Sequence, residues 1–250
     1  SASLVPFSTP KFLLKALKKE LKDKNFRYYP EKNFQELRKT IGDFHDIDPE
    51  NIMPGNGASE LITWIGYEAS QSGINCLTPP CFSDYERSLN CWNANYIFDE
   101  LPKNWSSQNP QTFPLLPNAD VLWITNPHNP TGQLWSQDSL KRLLLTYKLI
   151  ICDEAFLSIT PEGEKESLIS LVNDFDNLIV IRSLTKLFSI AGLRLGYIIS
   201  NPKLINKLIL KRDPWPLNAF AIQAGITLLG NKKEYEVWTK KIHNWINIEK

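Results

Sequence analysis

The sequence predicts an α/β protein built on an open, mostly parallel sheet with helices on both faces, a three-layer arrangement. Short apolar runs at 121–125, 149–152 and 178–181 alternate with amphipathic helical segments. Continuous apolar runs are typical of strands that are buried on both faces of a parallel sheet. Polar residues follow each run, and sheets of this kind bind ligands at the carboxyl ends of their strands. A ligand site is therefore expected at that edge.

The individual elements follow from the spacing of apolar residues and from local end signals. Ser136 is expected to cap a helix, and Asn201 with Pro202 to begin another. The predicted strands are 52–53, 74–78, 96–98, 121–125, 149–152, 178–181 and 195–199. The predicted helices are 11–22, 34–44, 61–69, 82–92, 203–211 and 234–250, together with one after Ser136. A loop is predicted at 99–118, which is rich in Pro, Ser and Asn.

Composition excludes several function classes. The 250 residues carry a formal net charge of +1, which gives no electrostatic reason to expect a nucleic acid or a membrane as partner. No apolar run approaches the roughly eighteen residues of a membrane span, and the first residues do not resemble a signal peptide, so a cytoplasmic location is expected. The four cysteines and three histidines are scattered, which predicts neither disulfides nor a metal site. The chain lacks an initial Met and ends within a predicted helix, so we expect it to be clipped at both ends.

One lysine is placed where it can act as a nucleophile. Lys186 follows the apolar run 178–181 among small and hydroxyl residues, and Arg194 comes eight positions later. Burial at a strand end favours the free amine, which can form a Schiff base with an aldehyde. The planar guanidinium of Arg194 is suited to phosphate. A solvated lysine with Arg194 in a surface ion pair is the alternative.

Three further segments end at the same predicted edge of the sheet. Asp153 follows a strand that is too apolar to lie on the surface, and a buried carboxylate needs a cation. Asn129 lies in the segment 126–132, where two Asn-Pro steps force an extended, turning backbone. Gly55 and Gly57 precede a helix whose N-terminus can bind an anion, although a plain helix capped by Ser59 is equally consistent with this turn. A nucleotide hydrolase would also carry Asp-Glu after a strand, but it requires a phosphate-binding glycine loop that the sequence lacks.

These segments together resemble the fold type I family of pyridoxal-phosphate enzymes, the class I and II aminotransferase-like proteins. The family motifs are Asn-Pro-x-Asn-Pro-Thr-Gly, matched at 126–132, and Ser-x-x-Lys followed by Gly-x-Arg-x-Gly, matched at 183–196. The resemblance extends from about residue 1 to about residue 245. It implies a pyridoxal-phosphate-binding large domain at 45–230, preceded by an N-terminal arm and helices at 1–44. Residues 231–250 would begin a small C-terminal domain that is truncated.

The resemblance also implies roles for individual residues. Lys186 and Asp153 would be catalytic, because Lys186 holds the cofactor covalently and Asp153 keeps its ring nitrogen protonated. A homodimer is implied, in which Tyr29 of one subunit reaches the cofactor of the other. An aromatic residue at helical spacing is also typical of a core, and this alternative applies to Phe82. The implied cofactor-binding residues are Gly57, Ala58, Ser59, Phe82, Asn129, Asp153, Ser183, Lys186, Arg194 and Tyr29.

Finer features resemble one branch of this family. Phe156 stands where most aminotransferases of the class carry Tyr, and this departure together with the segments 182–197 and 213–219 is most similar to threonine-phosphate decarboxylases of cobalamin biosynthesis. That branch implies decarboxylation of L-threonine O-3-phosphate, a small phosphorylated amino acid, to aminopropanol phosphate. The related histidinol-phosphate aminotransferases are one alternative, and a non-catalytic remnant of the fold is another. The arginine that binds the substrate carboxylate in this family is expected beyond residue 250.

Overall fold

The computed structural model describes residues 4–102 and 109–249, so the predicted loop at 99–118 lies partly outside the described residues. One sheet contains β1 Ile52–Asn56, β2 Asn75–Leu77, β3 Tyr96–Phe98, β4 Val121–Thr125, β5 Leu149–Asp153, β6 Leu178–Ser183 and β7 Leu195–Ser200. The α-helices are α1 Lys11–Asp23, α2 Gln35–His45, α3 Gly57–Ser72, α4 Ser83–Cys91, α5 Gln137–Leu143, α6 Pro202–Ile209, α7 Ala219–Gly230 and α8 Lys232–Glu249.

The seven-stranded sheet has the order β1-β7-β6-β5-β4-β2-β3. Strands β2, β3, β4, β5 and β6 are parallel to one another, whereas β7 runs antiparallel to both of its neighbours, β1 and β6. The predicted mostly parallel α/β sheet is confirmed. The reversal of β7 has a consequence for the site, because Arg194 immediately before β7 reaches the same edge at which β1, β5 and β6 end.

Two apolar cores lie on opposite faces of the sheet, so that the fold has three layers. Strand residues alternate between the faces. Leu122 and Ile124 belong to the core covered by α1, α2, α5, α7 and α8. Val121 and Trp123 belong to the core covered by α3, α4 and α6. This alternation determines which strand-end residues face the site and which face away from it.

Some element ends differ from those predicted. Strand β1 extends to Asn56 and includes Pro54, which is tolerated because β1 is an edge strand. Helix α3 begins at Gly57 and not at Ser59, so Ser59 lies in the first turn of α3 and the alternative of a helix capped by Ser59 is wrong. No element had been predicted at 219–230, where α7 forms.

Local end signals position several helices as expected. The Ser136 side chain accepts a hydrogen bond from the Ser139 backbone N–H at the start of α5. The Asn201 side chain accepts from the N–H groups of Lys203 and Leu204, and Pro202 occupies the first turn of α6. In the part of the chain that the structure describes, no helix is long and apolar enough to cross a membrane.

Candidate active site

A pocket opens at the edge of the sheet where β4, β5 and β6 end. Its lining brings together most of the predicted site residues from five separate parts of the chain. The lining residues are Ala58, Ser59, Phe82, Tyr85, Thr125, Asn129, Asp153, Ala155, Phe156, Thr185, Lys186 and Arg194.

Strand register explains why distant polar residues meet in this pocket. Thr125 and Asp153 lie directly opposite each other on the parallel strands β4 and β5. Thr125 lies two residues after Trp123, and Asp153 lies two residues after Ile151. Since Trp123 and Ile151 belong to the core covered by α3 and α4, the side chains of Thr125 and Asp153 lie on that same face of the sheet. A shift of either strand by one residue would turn its polar side chain to the opposite face.

Lys186 is half-buried in the turn that follows β6. Burial lowers the pKa of Lys186 from its ordinary value, and the positive charge of Arg194 acts in the same direction, whereas the charge of Asp153 opposes both. The lowered pKa increases the fraction of free amine, which is the nucleophilic form. The Lys186 Nζ lies 5.5 Å from the centroid of the Phe156 ring. The site therefore contains an activated amine beside an apolar aromatic wall.

Asp153 is buried at the end of β5, and both of its oxygens accept hydrogen bonds. Oδ2 accepts from the Tyr85 hydroxyl at 2.7 Å, and Oδ1 accepts from the backbone N–H of Ala155 at 2.9 Å. Burial raises the pKa of Asp153, whereas these two hydrogen bonds and the positive charge of Lys186 oppose that rise. An oriented buried carboxylate of this kind can hold a cationic ring N–H.

The segment 126–132 is held by its own hydrogen bonds. The Asn126 side chain donates to the Trp135 carbonyl at 3.1 Å and accepts from the Trp135 N–H at 2.9 Å. The N–H of Gly132 donates to the His128 carbonyl at 2.7 Å, which closes a tight turn. Asn126 is therefore structural, whereas Asn129 lines the pocket.

Gly57 and Arg194 form the anion-binding side of the pocket. Gly57 has φ +75° at the N-terminus of α3, and a Cβ at this position would lie 2.6 Å from Arg194 Nη2. The backbone and the guanidinium can approach so closely only because the residue is glycine. Unpaired N–H groups of a helix N-terminus beside an arginine suit a phosphate. Ala58 and Ser59 extend the same first turn into the lining.

Three predicted residues do not line the pocket. Gly57 lies directly behind it, against Arg194. Ser183 is buried, with its hydroxyl 2.8 Å from the Thr185 hydroxyl, and Thr185 is the one that faces the pocket. Tyr29 is 81% exposed, its ring centroid lies 4.7 Å from that of Trp215, and it does not line the pocket that contains Lys186 of the same chain.

Tyr85, Thr125 and Thr185 also line the pocket, although no sequence motif indicates a functional role for them. Tyr85 lies three residues after Phe82 in the predicted helix 82–92, a spacing typical of one apolar face, and the two rings are in contact, at 5.7 Å between centroids. The signal available was that Tyr85, unlike the other apolar residues of that face, has a hydroxyl that must find a partner when it is buried.

Comparison with known proteins gives a consistent result. The family model "Aminotransferase class I and II" matches residues 1–246. A protein of Caldanaerobacter subterraneus that is provisionally named a threonine-phosphate decarboxylase is 31% identical over 99% of this chain and 67% of its own length. Histidinol-phosphate aminotransferase 2 of Haemophilus influenzae is 32% identical over 92% of this chain and 64% of its own length. The chain thus spans about two-thirds of the length of these curated relatives.

Solved structures agree on the fold. A histidinol-phosphate aminotransferase from Clostridium acetobutylicum has a TM-score of 0.83 and 26% identity, covering 100% of this chain and 73% of that protein. An L-threonine-O-3-phosphate decarboxylase from Porphyromonas gingivalis has a TM-score of 0.83 and 24% identity, covering 99% of this chain and 75% of that protein. The matched family model, the curated relatives and the shared fold lead to one conclusion: this chain belongs to the class I and II aminotransferase family.

Proposed function

We propose that this protein is a pyridoxal-phosphate-dependent decarboxylase of L-threonine O-3-phosphate, which it converts to aminopropanol phosphate. The observation that carries the proposal is the convergence of Lys186, Asp153, Asn129 and Arg194 on one pocket at the carboxyl edge of the sheet. The cofactor is pyridoxal 5'-phosphate, a molecule with one aldehyde, one ring nitrogen, one phenolic oxygen and one phosphate. Each of these four groups has a chemically matched partner among the four residues.

The residues of the pocket fit the cofactor. Lys186 provides a half-buried amine of lowered pKa for the aldehyde carbon. Asp153 provides a carboxylate for the ring N–H, and Asn129 provides an amide for the phenolic oxygen. Arg194 with the first turn of α3 provides a cationic cradle for the phosphate, where only glycine fits at position 57. Ser183 and Phe82 are proposed to complete the phosphate site and to stack on the ring, respectively.

Bound pyridoxal phosphate supplies an electron sink for the electron pair released at the substrate Cα. Asp153 sustains that sink by holding the ring nitrogen protonated. Lys186 would be released by the incoming substrate amine, would take up the proton that this amine loses, and as an ammonium would return it to Cα after carbon dioxide has left. The choice of reaction depends on which Cα bond stands perpendicular to the cofactor ring, and the residues that bind the substrate carboxylate and phosphate set this orientation.

Phe156 supports the decarboxylase assignment over transamination. Its ring forms the wall beside Lys186 and presents no hydroxyl to the pocket. Most aminotransferases of the family carry Tyr there, and its absence leaves Asn129 as the partner of the phenolic oxygen among the lining residues. The departure resembles the threonine-phosphate decarboxylase branch, as does the sequence around Lys186.

Transamination is the second candidate, because relatives named histidinol-phosphate aminotransferases have identities of 29% and 32%, similar to the 31% of the decarboxylase relative. An assay that separates the two supplies L-threonine O-3-phosphate and pyridoxal phosphate without a 2-oxo acid. Release of carbon dioxide from the substrate carboxyl group, absent from Lys186→Ala, is the expected result. Amino transfer from histidinol phosphate to a 2-oxo acid without carbon dioxide release would contradict the proposal.

The proposal includes a cytoplasmic homodimer in which Tyr29 of one subunit contacts the cofactor phosphate of the other. The exposure of the Tyr29 ring and its distance from the pocket of its own chain are compatible with a contact to a second subunit. Its contact with Trp215 limits the orientation of the ring before any partner is bound.

A further inference from the structure

A chain of two hydroxyl groups, those of Thr125 and Tyr85, ends on the Asp153 carboxylate. Tyr85 comes from α4 and is buried beneath Phe82. Its hydroxyl lies 2.7 Å from Asp153 Oδ2 and 3.0 Å from Thr125 Oγ1. Thr125 comes from β4 and Asp153 from β5, so the Tyr85 hydroxyl joins three different elements at the floor of the pocket.

The chemistry of the three groups fixes the direction of the hydrogen bonds. An ionised carboxylate can only accept hydrogen bonds, so the Tyr85 hydroxyl donates its hydrogen bond to Asp153 Oδ2. The Tyr85 oxygen then accepts from the Thr125 hydroxyl, which is the remaining donor of the pair. Burial raises the pKa of Tyr85 well above its ordinary value, so the phenol remains a donor at neutral pH.

The hydrogen bond from Tyr85 opposes the effect of burial on the pKa of Asp153. Burial in the pocket raises the pKa of Asp153, and the hydrogen bond from Tyr85 is the strongest effect in the opposite direction. The backbone N–H of Ala155 and the charge of Lys186 also favour the carboxylate, whereas the charge of Asp84 on α4 disfavours it. Thr125 on β4 carries no charge, and Glu154 projects to the opposite face of the sheet.

We propose that Tyr85 is a positioning residue for the cofactor, in that its hydroxyl, oriented by Thr125, keeps Asp153 ionised and fixes the orientation of the carboxylate that would meet the ring nitrogen. The assignment rests on the proposed binding of pyridoxal phosphate in this pocket. It gives the aromatic residue at position 85 a role that a purely apolar side chain could not replace. Phenylalanine would fill the same space but would leave Asp153 without its side-chain donor.

The test measures the ionisation of Asp153 directly, in protein free of cofactor. Carbon-13 NMR of aspartate-labelled protein follows the Asp153 carboxyl carbon against pH, and Asp153→Asn identifies the signal. Tyr85→Phe is expected to raise the titration midpoint by about one pH unit, the size expected for losing a hydrogen bond to a charged group. Tyr147→Phe is the matched control, because Tyr147 is also buried and donates to the Pro117 carbonyl at 2.8 Å, outside the pocket.

Thr125 provides a second, milder variant in case Tyr85→Phe does not fold. Thr125→Val removes the hydroxyl that orients Tyr85 and is expected to raise the Asp153 midpoint by less, whereas Thr125→Ser restores the wild-type midpoint. An unchanged midpoint in both Tyr85→Phe and Thr125→Val would overturn the proposal.

A second readout connects the ionisation to the cofactor. In cofactor-loaded protein without substrate, the pH titration of the lysine-bound absorption band is expected to shift in Tyr85→Phe and to remain unchanged in Tyr147→Phe. A wild-type protein that forms no such band would overturn the proposed function. A normal band with identical titrations in wild type and Tyr85→Phe would instead overturn the role of Tyr85 alone.

Discussion

Arg182 and Glu154 form a buried ion pair, with Arg182 Nη2 2.9 Å from Glu154 Oε2, on the face of the sheet opposite to the candidate active site. Arg182 immediately precedes Ser183, and Glu154 immediately follows Asp153. The pair therefore links the carboxyl ends of β5 and β6, next to the positions from which Asp153 and Lys186 reach the pocket. Glu164 adds two further hydrogen bonds to the same guanidinium, at 2.8 and 2.9 Å.

Loss of Arg182 is expected to destabilise the fold strongly. Arg182→Leu leaves Glu154 buried without its cation, which costs about 3–5 kcal/mol in the free energy of unfolding. Denaturant titration measures the loss, and adding Glu154→Gln is expected to recover part of it because the unpaired charge is then gone. Lys39→Met, at the exposed pair with Asp43, is the control and is expected to change little. A similar small effect for Arg182→Leu would contradict the prediction.

His45 is expected to contribute to acid destabilisation. Burial, with the positive charge of Arg182, lowers the pKa of His45 from 6.5 to about 3, and its Nε2 lies 2.7 Å from the Tyr197 hydroxyl. Between pH 6.5 and 3 the unfolded chain binds a proton that the folded chain does not, so stability falls as the pH falls through this window.

His45→Gln removes that difference. The slope of the unfolding free energy against pH is expected to decrease by up to about 1.4 kcal/mol per pH unit, the value for one proton. Glu154 has the opposite effect on the pH dependence of stability, because burial raises its pKa from 4.5 to about 7. Glu154 is present in both proteins, so its effect cancels in the comparison. Denaturant titrations at several pH values measure the slope, and equal slopes in the two proteins would refute the prediction.

Gly57→Ala is expected to weaken cofactor binding. The φ of +75° strains any L-residue by roughly 1–2 kcal/mol, and the added Cβ would displace Arg194 from its position 2.6 Å away. Fluorescence titration with pyridoxal phosphate measures the affinity. Gly192→Ala is the matched control, since Gly192 is close to Arg194 in sequence but a Cβ at position 192 would have no other atom within 4 Å. Equal affinities for the two variants would show that the close approach at Gly57 has no role.

Local sequence patterns predicted which strands end at the candidate pocket better than they predicted how the neighbouring strands pair. Lys186, Asp153 and Asn129 line the same pocket, and each was singled out because it follows a recognisable strand, while Lys186 and Asn129 also lie in contiguous family motifs. The direction of β7 could not be found, since it depends on pairing with β1 and β6, far away in sequence.

Two other features were missed for different physical reasons. The helical spacing of Tyr85 is that of a core residue, and its proposed role depends on one hydroxyl that meets β4 and β5 only after folding. Helix α7 is apolar on most of its surface and so lacks an amphipathic pattern, although Asn218 caps it as a local signal predicts.

Tyr29 allows a test of the shared site. The proposal predicts that Tyr29→Ala and Lys186→Ala are each inactive as homodimers. Mixing and reassociating equal amounts would restore about a quarter of the wild-type activity, because half of the dimers would then contain one intact site. Carbon dioxide release before and after mixing measures the effect. No recovery in a mixture that has exchanged subunits would exclude a contribution of Tyr29 in trans.

The most direct measurement of the central claim is the absorption spectrum of the purified protein with added pyridoxal phosphate, repeated with Lys186→Ala. The structure places a half-buried amine of lowered pKa beside Asp153, so wild type is expected to show the band of a lysine-bound cofactor, and Lys186→Ala only that of the free aldehyde. A band of equal intensity in both proteins, or none in wild type, would contradict the assignment of Lys186 as the cofactor anchor.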